Sequence, residues 1–498
     1  MATEATLSVE ERLYRLLRQL GIDQAHFAGW LPRDWSRLAA KYPQVISSLT
    51  LVNTFDRRFV EPVSAKLLVV TGDRGPAAET VRNAMRGVPD VQHVELSDYN
   101  MLGWSDVASE RTREFADAML EFLSRFPVPD TAKSVALPQG EGDVAGISYR
   151  IRGVGPPLVL LPLFLTPSQW EPLVPVLSER YCTIALGGTF LGAVAILEGR
   201  GHAIGYLQMV RTLIEEAELC PGEVVLEVGC GSGVLARWLA RRTAGRNHIT
   251  GVDINPYLLR EAKALARQEG LKGAIEFRDG NAEALPFADS SFDVVMSVTV
   301  IEEADADRML AEMVRVTKPN GRVAVIARAL DMAFPMNLAL SDSLKAKVEA
   351  PGVIGQVSPQ GCADASLYRR VRQAGLTHVK MLPQLTAFDR ADPTVLQFLE
   401  GILLPKLNQD EAREWQAARA EAEAMGTFFM TWPHHCAVGI DPILRKMQQL
   451  VYERSIYAPI WLLGFLNGVG PRVGESGFGL MPGFAYTAPY EDVTLKAA

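Results

Sequence analysis

The residues whose spacing suggests chemistry lie near the middle of the chain. The segment EVVLEVGCGSGVLARWLARR sets Gly229, Gly231 and Gly233 at alternate positions, directly after an apolar run and directly before a helical pattern. Position 234 is Val, so the G-x-G-x-x-G pattern that seats a dinucleotide pyrophosphate on a helix N-terminus is not met. Glu227 stands just before the glycines, and Asp253 closes the next apolar run, HITGVD. A backbone that permits close approach, flanked by two carboxylates, suits a nucleoside carrying a cationic amine. Asp253 is placed to accept both ribose hydroxyls, as an acid at the end of the second strand does in nucleotide-binding sheets. A glycine-rich turn alone is often only a tight connection, and Cys230 and Ser232 within it read as loop fillers.

These residues need a rigid frame. Strand patterns alternate with helical ones from Tyr206 onward, through HITGVDI, IEFRD, FDVVMSV and GRVAVIARA to HVKMLPQL and TFFMTWPHHCAVGI. Such alternation predicts an α/β fold with a parallel sheet covered by helices. Three composition breaks, Pro127 to Gly146, Gly187 to Gly205 and Asp441-Pro442, give four pieces, the first two taken together as residues 1–187 and followed by 188–442 and 443–498. The combined unit begins with a helix over Val9 to Leu20 and strands at Ala25 to Ala28 and Ser48 to Val52. It continues through a strand at Lys66 to Thr71, a helix ending at Phe126, and strands in ISYRIRG, PLVLLPL and YCTIALGG.

The run Val224 to Ala329, including the LPF before the fourth strand and the KPNGR turn before the fifth, resembles class I methyltransferases of the ubiquinone/menaquinone C-methyltransferase type. The resemblance implies a Rossmann-like seven-stranded domain, S-adenosylmethionine (SAM) as cofactor, and methyl transfer to an acceptor. It assigns Glu227, Gly229, Gly231 and Gly233 to the methionine and adenosine backbone and Asp253 to the ribose, with Ile254 among the cofactor-binding residues. Gly280, Asn281 and Ala282 fall at the adenine edge, and Ser297 to Thr299 beneath the methyl group. The family usually has aspartate where Asn281 stands, but an amide oxygen can still accept from the adenine amine. No catalytic side chain is assigned, because a base is needed only if the acceptor must lose a proton. His202, Tyr206, Glu303, His434 and His435 are weak candidates, each also readable as packed or solvent-facing, and Glu302 and Glu303 read first as a solvated loop. Family architecture places the segment after Ala329 over the acceptor, where Met332, Phe334, Met336, Cys362 and Tyr368 could form an apolar wall; core packing explains them equally well.

Residues 1–187 resemble an α/β-hydrolase in permuted order. LLRQLGIDQAHFAGWLPRDWSRLAAKYPQVISSLTLVN looks like the family's helix, nucleophile elbow, helix and next strand. ISYRIRGVGPPLVLLPLFLTPSQWEPL, which resembles the family's opening with its oxyanion loop, comes last. The elbow requires Gly-x-Ser-x-Gly. Here Leu31 holds the nucleophile position and Arg33 the second glycine's, Gly75 stands at the acid's position, and the late loop DYNMLGW has no histidine. The unit reads as catalytically degenerate.

The remaining features bound the answer. A net charge of -8 gives no footprint for nucleic acid, so a small-molecule acceptor is expected. Five scattered cysteines without a CxxC pair suggest neither zinc nor disulfides and fit a cytoplasmic protein. The longest apolar stretch, Leu158 to Leu165, is interrupted by Pro162 and falls far short of the ~20 residues a membrane span needs. Residues 443–498 resemble the end of peptide-type ABC-transporter substrate-binding proteins, and their aromatics predict a docking tail. A homodimer through the N-terminal unit or this tail is the assembly these features allow. Two further readings stay open: a noncatalytic SAM-binding scaffold, and a hydrolase with an unusual nucleophile.

Overall fold

The computed structural model describes residues 7–60, 66–101, 105–126, 139–353, 357–388 and, apart from 397–398 and 401–402, 396–442. The tail beyond 442 and the Leu102-Gly103-Trp104 end of the late loop lie outside the described residues. Residues 1–442 belong to one compact unit containing two eight-stranded sheets.

The first sheet is built from β1 (Ala25–Gly29), β2 (Ile46–Val52), β3 (Leu67–Arg74), β4 (Val91–Asn100), β5 (Gly140–Val144), β6 (Ile147–Arg152), β7 (Pro157–Leu160) and β8 (Cys182–Gly187). Its order is β4-β3-β2-β1-β7-β8-β6-β5. Strands β1 and β2 are buried at every position, as continuous apolar runs in a sheet covered on both faces must be. Helices α1 (Val9–Gln19) and α2 (Pro32–Lys41) cover one face, with Leu13, Leu16, Trp35 and Leu38 in the core there. Strand β5 falls inside a stretch whose composition reads as a break. It pairs antiparallel with β6 across a tight turn in which Ala145 (φ +55°) and Gly146 (φ +79°) adopt left-handed backbone. Such turns match the twist of a hairpin.

The second sheet comprises β9 (Val224–Val228), β10 (His248–Asp253), β11 (Ile275–Asp279), β12 (Phe292–Val298), β13 (Thr317–Arg328), β14 (Thr377–Met381), β15 (Gln384–Phe388) and β16 (Met430–Ile440). The order is β11-β10-β9-β12-β13-β16-β14, with β15 also paired to β16. Strands β9 to β13 are mutually parallel, and β16 runs antiparallel to β13. This arrangement is Rossmann-like.

The glycine-rich run Gly187 to Gly205, read as a break, contains helix α3 (Gly192–Arg200). It leads into α4 (Ile204–Glu216); α5 (Val234–Arg242) follows β9, α6 (Pro256–Gln268) follows β10, and α7 (Ala306–Val316) follows β12. A nine-residue helix with three glycines nearby carries little intrinsic helical signal, so tertiary contacts define it. Among the described residues, no helix is long and apolar enough to cross a membrane.

Candidate functional site

Strand β9 lies between β10 and β12, and the chain leaves it in opposite directions toward the two edges of the sheet. Open α/β sheets bind ligands outside the carboxyl ends of the strands at such a reversal. Two loops meet there: Gly229 to Gly233 after β9 and Thr299 to Glu303 after β12.

The glycine loop is fastened from below. Gly229 and Cys230 donate their amides to the Val252 carbonyl at 2.8 and 3.0 Å, and Gly231 donates to Asp253 Oδ2 at 2.7 Å. Gly229 (φ +73°) has no room for a Cβ, which would overlap the Val300 side chain. Gly233 (φ +73°) caps α5 in left-handed conformation, and a Cβ there would lie 2.6 Å from the Phe277 ring. Asp253 Oδ1 accepts from the Asn255 amide at 2.9 Å, so this carboxylate shapes the loop before it meets any ligand. Burial raises its pKa, against the pull of its backbone donors. Each oxygen retains lone-pair capacity.

Glu227 is 4% exposed, and its Oε2 has no hydrogen-bond partner. Burial, with the Asp253 charge adding to it, pushes its pKa up to about 8, although the Ala236 amide and Arg237 oppose the shift. A buried carboxylate oxygen without a donor is costly, and a cationic group is what relieves it. The residues present therefore fit the ammonium and ribose of SAM. On the adenine side, Gly280 donates to the Asp253 carbonyl at 3.1 Å and packs so closely on Pro286 and Val252 that a Cβ would overlap them. Ile254 is 66% exposed, an apolar surface at the lip of the crevice beside Asp253. Asn281 is exposed and its Oδ1 already accepts from the Glu283 amide at 2.8 Å; Ala282 is half-buried next to it. Ser297 is fully buried and donates to the Val228 carbonyl at 2.9 Å, so its hydroxyl ties β12 to β9.

A brace behind the loop escaped the sequence. Ser232 is no filler: its hydroxyl donates to Glu198 Oε1 at 2.6 Å, and its carbonyl accepts from Arg237 Nη1 at 2.6 Å. Arg237, 1% exposed, also pairs with Glu198 and, at 2.9 Å, with Glu269. The available clue was a charged residue interrupting an otherwise apolar stripe in each of GAVAILEGR and VLARWLARR.

Across the crevice, Arg200 Nη1 donates to Thr299 Oγ1 at 3.0 Å, and the guanidinium lies 5.5 Å over the Tyr206 ring. Tyr206 is buried, which raises its pKa. Glu302 is not solvated: it is fully buried and accepts from the Arg328 amide (2.6 Å) and Nε (3.3 Å). Glu303 stands at the rim; partial desolvation raises its pKa, opposed by Arg328 and Arg200 and reinforced by Asp253. His434 and His435 point to opposite faces of β16. Burial lowers the His434 pKa to about 3, with its Nδ1 3.1 Å from the Trp432 carbonyl, so it is neutral and a weak base. His435 Nε2 lies 2.8 Å from Asp331 Oδ1. His202 is exposed, its Nδ1 3.0 Å from the Glu198 carbonyl. Arg200 acts electrostatically on Tyr206, Glu303 and His434.

The expected apolar wall divides. Phe334 and Met336 pack with Trp415, Phe428 and Met430 in the core of the inserted segment, and Cys362 is buried against the sheet. Met332 is half-buried and Tyr368 is exposed. Among the described residues, no cluster of His, Cys, Asp and Glu could hold a metal ion.

Comparison with known proteins agrees with this geometry. Residues 226–325 match the family described as Methyltransferase domain. Methyltransferase GfsG of Streptomyces halstedii is 37% identical over 119 residues, 24% of this chain and 42% of that protein. The ubiquinone/menaquinone biosynthesis C-methyltransferase UbiE of Vibrio campbellii is 34% identical over 118 residues, 24% and 46% of the two chains. The sterol 24-C-methyltransferase ERG6B of Gibberella zeae is 34% identical over 146 residues, 29% and 34%. The chain spans less than half the length of each of these relatives. Residues 226–325 are thus a methyltransferase domain of the SAM-dependent kind.

Proposed function

We propose that this protein transfers the methyl group of SAM to a small-molecule acceptor through an O, N, S or C nucleophile. The observation that carries the reading is the buried, donorless Oε2 of Glu227 beside the Asp253 carboxylate at the switch point of the sheet. Glu227 would hold the ammonium, Asp253 the ribose hydroxyls, and the Gly229 to Gly233 backbone the adenosyl and methionine chain. Ile254, Gly280, Asn281 and Ala282 would border the adenine. The cofactor supplies a methyl group on a sulfonium, already an excellent leaving group. The protein's contribution is then position and exclusion of water. Arg200 and Thr299 order the acceptor side; Glu303, whose pKa is raised, is better suited than the neutral His434 to take a proton from an acceptor that has one to lose. Calorimetry with SAM and S-adenosylhomocysteine, followed by labelled-methyl transfer to a panel of small acceptors, tests this. Uptake of NAD with neither of these ligands bound would overturn it.

We further infer that residues 1–187 are a permuted, catalytically silent α/β-hydrolase unit beside a methyltransferase unit at 188–442. A hydrolase sets its oxyanion loop next to the nucleophile elbow; in support, β7, which precedes that loop, pairs in parallel with β1, which precedes the elbow. The elbow itself carries no strain, since Leu31 adopts ordinary extended backbone (φ -74°, ψ 123°). A fluorophosphonate probe should label nothing within residues 1–187, and nitrophenyl esters should turn over no faster than in buffer. Covalent labelling by mass spectrometry would refute the silent assignment.

A further inference from the structure

The N-terminal sheet and the cofactor site are joined by helix α3, and the joint is made of specific bonds. Asp34, 1% exposed in the first turn of α2, accepts the Gly192 amide on Oδ2 at 3.0 Å, linking positions 158 apart in sequence. The Phe164 carbonyl, in the loop after β7, accepts the Ala193 amide at 2.6 Å. The first N–H groups of a helix have no partner within it. The residue preceding α3, Leu191, offers no side-chain cap, so the cap comes from the other sheet. Around these bonds Leu165, Ala193, Val194, Leu258 and Leu265 form one apolar cluster. Trp30 packs on Phe164 at 5.7 Å between ring centres.

The other end of α3 reaches the crevice. Glu198 receives Ser232 and Arg237 behind the glycine loop, Arg200 holds Thr299 on the opposite loop, and a Cβ on Gly231 would point at Leu197, 3.0 Å away. One short helix therefore touches both flanks of the site. A nine-residue helix is not stable by itself in water, so its pose is set by what grips its ends.

We infer that Asp34 is a positioning residue for the cofactor site: by capping α3 in trans it fixes Glu198 and Arg200, and with them the glycine loop and Thr299. This rests on the SAM-binding reading above. It gives the N-terminal unit a task that needs no nucleophile. Energetic coupling between sites is reciprocal, so a ligand in the crevice must in turn tighten the cap.

Two measurements on the full chain test the inference. In the wild type, saturating S-adenosylhomocysteine should slow hydrogen exchange at the Gly192 and Ala193 amides. In calorimetry, Asp34→Ala should weaken SAM by about tenfold, within the usual span of site-to-site coupling. Asp34→Asn, whose amide oxygen still accepts, should recover most of that loss. Glu171→Ala, which breaks the surface pair with Arg260 between the same two units without touching α3, should change affinity less than twofold. Folded Asp34→Ala protein that binds SAM like wild type, or exchange at Gly192 and Ala193 that ignores the ligand, would overturn the inference alone. Wild type that binds no SAM would instead defeat the functional reading on which it stands. The exchange measurement needs no variant and holds even if Asp34→Ala fails to fold.

Discussion

Asp253→Ala is expected to weaken SAM binding by at least about 100-fold. Two effects add. The ribose loses a charged acceptor, and hydrogen bonds to such groups contribute about 1.5 to 3 kcal/mol each, with 1.4 kcal/mol corresponding to a factor of ten. The same carboxylate also holds the Gly231 amide at 2.7 Å and the Asn255 amide at 2.9 Å, so its removal releases the glycine loop from β10. Asp253→Asn should fall between, because one oxygen remains to accept. Calorimetry at a fixed pH gives the numbers. A full loss in Asn as severe as in Ala would point to charge alone, and wild-type affinity in Ala would remove Asp253 from the site.

A second large effect should appear on changing pH. Burial pushes Glu227 up to about 8 in the ligand-free protein, so at pH 7 most molecules carry it protonated. An ammonium ligand requires the carboxylate. Binding must then release a proton, and the dissociation constant should rise about tenfold for each pH unit below 8. The sign for stability is opposite. A carboxyl whose folded pKa is raised stabilises the fold at pH values below its unfolded pKa and loses that contribution as pH rises through about 8. Asp34, raised to about 7 by burial, adds in the same direction. Ligand-free protein should therefore melt lower from pH 5 to 8 while SAM affinity increases. Glu227→Gln should bind SAM about 10- to 150-fold more weakly at pH 8 and show little pH dependence between 6 and 8. Proton release, from calorimetry in buffers of different ionisation enthalpy, provides the check. A flat affinity profile in wild type would show that Glu227 does not meet a cation.

Local pattern made the core of the site readable. Gly229, Gly231 and Gly233 follow a buried strand and open a helix, and only residues without a Cβ tolerate φ near +73° against Val300 and Phe277. Asp253 ends a strand whose register against β9 fixes its height in the sheet. Both facts are local to one strand-turn-helix unit, where spacing and geometry are the same statement. The roles expected of Asn281 and Ser297 were less secure for the converse reason. Residue type offers a hydroxyl or an amide oxygen, but the Glu283 amide and the Val228 carbonyl had first claim on them. Glu302 shows the same limit. Two adjacent acids after a strand look solvated until Arg328, 26 positions later, is seen to close over one of them.

The sequence by itself determined the parallel α/β character, the glycine loop and the two carboxylates. Each follows from neighbours within a few residues, because strand period, turn chemistry and side-chain functionality are short-range properties. Tertiary structure alone decided that a glycine-rich break is helix α3, that its cap is Asp34, and that Ser232, Glu198 and Arg237 form a buried brace behind the loop. Those bonds join residues 5 to 158 positions apart across two sheets. A helix too short to hold itself is specified by the surfaces that enclose it, and those surfaces exist only once both sheets are folded.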